Sequence, residues 1–260
     1  MINSFFMVLS APLYGEKHLS GLLMMALLLI AYFVPLVLLR NKMSQNAKIW
    51  VLRGTILFLL LIEFIKFIIL LREYGNIPMG EFPMHLCNMP LYLFPFVAFG
   101  KSKFAEYLKP ASFVIGLLAG VIAIVYPSNI LGGDYPWFSY EEYLFPLRSF
   151  VFHTVMIMFS GNMLLSGVYQ LKHKDLLKAV VVMLILASVA MTFNAFIPGA
   201  DYFLLGMGYG SPFAFLIDIS KELYVGFMIF IALFIVTLVY LPIEIKHYKS
   251  LRDLKLVDAN

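Results

Sequence analysis

Of the chain's 260 residues, 62% are hydrophobic and only 13% charged, with a mean hydropathy of +0.90. So little polar surface cannot cover a water-soluble core, and the chain reads as an integral membrane protein. Its formal net charge of +4 calls for no nucleic acid, because basic loops facing anionic lipid headgroups account for it.

The first residues, "MINSFFMVLSAPLYGEK", lack the basic start of a signal peptide, and their apolar run is too short to span. They read as an interfacial segment rather than a cleaved leader. Seven windows then reach the length of about 20 mostly apolar residues that a span needs. They fall near 19–40, 49–72, 82–100, 104–125, 147–170, 175–197 and 221–243, in one transmembrane helical domain covering 1–260. The expected fold is all-α and polytopic, without a soluble domain, a low-complexity tract or an internal repeat.

Lysine and arginine orient it. Alternate connections hold Arg40, Lys42, Lys48 and Arg53, then Lys101, Lys103 and Lys109, then Lys172, Lys174 and Lys178, and finally Lys246, Lys249, Arg252 and Lys255. These are 14 of the 19 basic residues; the other side has only Lys17, Arg72, Arg148 and Lys221, with Glu73, Glu81, Asp134, Glu141, Glu142, Asp201, Asp218 and Glu222. Positive charge stays inside, which puts the N-terminus outside and the C-terminus inside. The two long connections, 126–148 and 198–220, are then external, and their Tyr, Phe, Gly and Pro content suits either an aromatic anchor belt or a lid over a pocket.

Ionisable groups inside spans are costly and mark function. At 1.5 Å per residue, Cys87 lies roughly 8 Å from the outer end of the third span, and His153 roughly 9 Å from the outer end of the fifth. Lys66 lies about six residues in, with Glu63 a turn deeper, and Asn194 about three residues in. All share the outer half. In "EFPMHLCNMP" (81–90), His85 and Cys87 are two apart, so a regular helix would turn them to nearly opposite faces. His153 is therefore the better base for the thiol. Pro83 suits a first helical turn, while Pro90 would press on the Leu86 carbonyl and loosen the helix beside Cys87. Free amides near that helix start would favour a thiolate or hold an oxyanion.

Plainer readings stand beside these. Cys87 alone cannot form an internal disulfide and can be a small apolar filler; His153 can be interhelical polar glue; Glu63 and Lys66, at i and i+3, can be a structural ion pair. One Cys among scattered His lacks zinc-ligand spacing, and neither a phosphate-binding glycine loop nor a nucleophile elbow is present, so no metal or cofactor is expected.

"FPMHLCNMPLYLFPF", a histidine in a later span, "FNAFIPGADYFLL" and "SPFAFLID" together resemble the YwaF-like bacterial integral membrane family, over most of the chain from the second span to the last. The last helix opens with "DISKELYVGF", where that family more often has a Gly-Pro-Trp-like stretch. The family is distantly similar to eukaryotic polytopic, cysteine-dependent acyltransferases acting on phospholipids. The resemblance implies Cys87 as nucleophile, His153 as its base and a bacterial plasma membrane as the location.

The expected function is transfer or hydrolysis of lipid acyl groups through a cysteine thioester, with a lysolipid as acceptor. Asn88, Asn194 or backbone amides would hold the oxyanion, and Glu63, Lys66 and His85 would support the site or contact headgroups. The alternative is a small-solute or proton-coupled carrier that uses Glu63, Lys66, His85 and His153 as a polar path. A receptor-like or assembly role is the third possibility. Membrane lipids are the expected partners.

Overall fold

A computed structural model describes residues 16–77, 81–125, 140–208 and 211–257. The interfacial N-terminal segment and most of the 126–148 connection lie outside the described residues. Among those described, all regular structure is helical: α1 (Glu16–Leu39), α2 (Gln45–Tyr74), α3 (Pro90–Phe99), α4 (Lys103–Val125), α5 (Tyr140–Leu165), α6 (Asp175–Phe196) and α7 (Lys221–Val257). A 3-10 turn at Leu86–Asn88 precedes α3, and two more, Tyr202–Leu204 and Ala214–Leu216, lie between α6 and α7.

Five of the helices (α1, α2, α4, α6 and α7) are long and apolar enough to cross a bilayer. Their bounds follow local chemistry. Ser44 caps α2 by accepting from the Ala47 amide at 3.2 Å, and Gly75 ends it at φ 69°, where a side chain would be strained. Of the other two, α3 is short and apolar, while α5 is long and carries a row of polar residues. Buried Ser149, His153, Thr154, Ser160 and Asn162 lie along the inward face of α5.

At ten residues, α3 is only about 15 Å long, half the thickness of a hydrocarbon core. The expected helix over 82–100 is thus helical only in its second part. Both prolines change roles as a result. Pro90, not Pro83, sits in the first turn of α3, and Pro83 lies in the irregular stretch before it.

Packing centres on α4. Its apolar window is 61% buried, against 11% for α1 and 17% for α7, so the last two line the periphery. Small residues explain that position. Gly116 faces Phe94 and Ser160, and Gly120 faces Ile157 and the His153 carbonyl, so α3 and α5 approach α4 closely. Phe94 of α3 stacks on Phe159 of α5 at 3.8 Å between centroids, both fully buried. α6 closes the other side of α4 and carries α7.

Candidate functional site

A cavity of about 700 Å³ opens where the irregular start of α3 meets α4, α5, α6 and α7. Non-helical backbone at membrane depth survives only where protein or a cavity satisfies its polar groups. The 81–89 stretch meets that condition, since Glu81, His85, Leu86, Cys87 and Asn88 all line the cavity. His85 and Cys87 consequently share one space. The opposite-face expectation assumed a regular helix; here His85 only caps a three-residue 3-10 turn.

The same stretch supplies free donors. The amides of Asn88 and Met89 bond back to the carbonyls of His85 and Leu86, at 2.8 and 3.2 Å. Those of Leu86 and Cys87, at the turn's start, have no carbonyl acceptor among the described residues. Asn88 is buried and lines the cavity beside them.

From α5, Ser149, Phe152 and His153 reach the cavity. His153 is 3% exposed, and its Nδ1 lies 2.7 Å from the Ser149 carbonyl one turn back. A carbonyl only accepts, so Nδ1 carries the proton and donates it; the Ser149 hydroxyl stands off at 3.4 Å. A neutral ring so bonded presents Nε2 as a bare acceptor. No described residue bonds to that nitrogen.

The TMEM164 family model matches residues 13–241. The chain belongs to the TMEM164 family. No curated protein matches it, and neither does any solved structure. Family membership and the run of apolar helices together make it a multi-pass membrane protein.

In this TMEM164-family chain the other expected site residues divide. Lys66 lines the cavity and is held on three sides: its Nζ meets Glu63 Oε1 at 3.0 Å, Glu81 Oε2 at 3.1 Å and the Glu81 carbonyl at 3.1 Å. Glu63 lies behind it, 4% exposed, and its second oxygen meets Arg148 Nη2. The pair read at i and i+3 is thus the middle of a four-membered chain, Arg148–Glu63–Lys66–Glu81.

Asn194 is not among the cavity's lining residues. Its amide is occupied elsewhere, donating to the Tyr202 carbonyl at 2.9 Å while its oxygen accepts the Tyr202 amide at 2.8 Å. It holds a turn and has no oxyanion to serve from there.

That turn is the part of the site the sequence hid. Phe203 and Leu204 both have left-handed backbone, φ 60° and 57°, which side chains other than glycine's rarely adopt. Asp201 Oδ1 accepts the Gly206 and Met207 amides, and the Tyr224 hydroxyl donates to the Leu204 carbonyl at 2.7 Å. So pinned, Phe203, Leu204 and Leu205 form part of the cavity wall. By sequence Arg148 is one of a few basic residues on the weakly basic side; in the structure it is a partly buried cation at the cavity. No metal-binding cluster of His, Cys, Asp and Glu occurs among the described residues.

Proposed function

We propose that the chain is a seven-span membrane enzyme that transfers or hydrolyses acyl groups of lipids through a thioester on Cys87. In this reading the N-terminus is outside, the C-terminus inside, and the cavity lies in the outer half of the bilayer. The resemblance to the YwaF-like family extends the reading to a bacterial plasma membrane. One observation carries it: the only thiol and a histidine with a bare Nε2 line the same largely apolar cavity.

The steps balance on two residues. His153 Nε2 takes the Cys87 proton as sulfur bonds to the acyl carbonyl carbon. The oxyanion so formed would be met by the amides of Leu86 and Cys87 or by the Asn88 side chain. Collapse breaks the ester bond, and the leaving alkoxide takes the proton back from Nε2. A lysolipid hydroxyl, or water, then gives its proton to Nε2, attacks the thioester and releases the thiol. His85, whose ring stands edge-on to Tyr202 at 5.4 Å, would brace the thiol-bearing turn against the 202–205 wall. The carrier alternative has less support, since a proton-exchanging Glu63 should be free, and this one is held between Lys66 and Arg148.

The test is intact mass of reconstituted protein incubated with an acyl-ester lipid. A hydroxylamine-labile mass increase of one acyl group should appear on wild type, fade in His153→Ala and vanish in Cys87→Ser. Full turnover by folded Cys87→Ser would reduce Cys87 to filler and remove the enzyme reading.

A further inference from the structure

The cavity holds two cations, and their hydrogen-bonding states differ. Lys66 is already engaged on the protein side, with a hydrogen bond to the Glu81 carbonyl and ion pairs to the Glu63 and Glu81 carboxylates. Arg148 has five donors in a fork and spends one edge on Glu63. Its Nε is buried and makes no hydrogen bond among the described residues, its Nη2 meets only Glu63, and its guanidinium lies against the Phe152 face, 4.5 Å from the centroid. Glu63 does not depend on Arg148 alone, because Lys66 holds its other oxygen.

Much of the remaining cavity wall is apolar. Leu118 and Ile122 of α4, Met183 of α6, and the α7 stretch from Met228 to Ile235 line it. Seven residues of rise make that stretch about 10 Å long. A cation with a spare donor and a long apolar wall in one cavity fit a tailed molecule with an acidic head.

Building on the lipid reading of the cavity, we infer that Arg148 is the anchor for an oxyanion headgroup, phosphate or carboxylate, of a single-tailed amphiphile. The ligand displaces Glu63 from Arg148, and Glu63 stays neutralised by Lys66. The exchange orients the ligand, with its head at Arg148 and its tail along α7. It also makes Glu63 a built-in competitor, which sets how strongly the head is held.

Because Cys87 is the only cysteine, its alkylation by N-ethylmaleimide reports whether the cavity is filled, whatever the protein's catalysis. The full chain in dodecyl maltoside micelles is titrated with hexadecyl phosphate, hexadecylphosphocholine, palmitate or uncharged hexadecanol. None of these has an ester to cleave, so failure of the acyl-transfer reading would leave the result unchanged. At least one anionic probe should protect Cys87 at concentrations about tenfold below hexadecanol, and the best of them identifies the oxyanion. Arg148→Gln should erase that preference and Arg148→Lys should restore part of it. Glu63→Gln should sharpen it, the opposite direction from Arg148→Gln. A rise in melting temperature with the anionic probe, seen in wild type and absent from Arg148→Gln, reads the same binding without the thiol. Equal protection by hexadecanol, or a preference that survives Arg148→Gln, overturns the proposal.

Discussion

Replacing Asn194 with alanine isolates what the 202–205 turn costs to hold. The side chain makes two hydrogen bonds to Tyr202, which is 1% exposed. Without them the Tyr202 carbonyl keeps the Leu205 amide at 3.1 Å, but its own N–H loses its acceptor in a place water does not reach. One lost hydrogen bond and one orphaned buried donor come to about 2–4 kcal/mol. The left-handed Phe203 and Leu204 store about 1–3 kcal/mol each, some of which is released once the clamp has gone. The net loss should stay near the lower half of that range, a fall in unfolding temperature of roughly 5–10 °C for a chain this size. Thermal unfolding in maltoside micelles reads it. Asn194→Asp, which keeps the acceptor and loses the donor, should fall between. Phe203→Gly, which fits φ 60° without strain, should recover part of the loss in the Asn194→Ala background. An alanine variant that unfolds within a degree of wild type would show that the clamp does not hold the turn.

Gly116→Ala would push a Cβ into Ser160 Oγ and the stacked Phe94, so it should cost about 1–3 kcal/mol in the same unfolding assay. Gly226→Ala, in α7 with nothing near its Cβ, should be neutral or stabilise by up to about 1 kcal/mol. A tag at the C-terminus should be protected from externally added protease in intact cells, while one beside Gly132 should be cut. The reverse pattern would invert the proposed orientation.

Most of the helices were legible because a bilayer asks one simple thing of a sequence. The runs at 19–40, 49–72, 104–125 and 175–197 coincide within a few residues with α1, α2, α4 and α6. The helix beginning at Lys221 continues to Val257, well past its apolar run, because the polar residues after Leu241 favour helix without favouring lipid. Hydropathy could not show that 82–89 lacks α-helix, since an apolar composition sets depth and leaves backbone geometry open. Matched depth brought Cys87, His153 and Lys66 toward one place, and all three line the cavity, with Glu63 behind Lys66; His85, expected on the opposite face from Cys87, lines it as well. Depth failed for Asn194, at a similar level but turned toward Tyr202, because it carries no information on which way a helix faces. Arg148 and the strained turn needed tertiary contacts to be recognised.

The orienting partner of the proposed base is a main-chain carbonyl, and that has a genetic consequence. A catalytic histidine is commonly steered by a carboxylate, which a single codon change deletes; no change at position 149 deletes the carbonyl that holds His153, short of breaking the helix. A saturation screen for loss of the proposed activity should therefore recover Cys87 and His153 and pass over Ser149, even for Ser149→Ala. Two positions where a triad would give three make the site a small target for inactivating mutation, and an easy one to overlook in a comparison that searches for the third member.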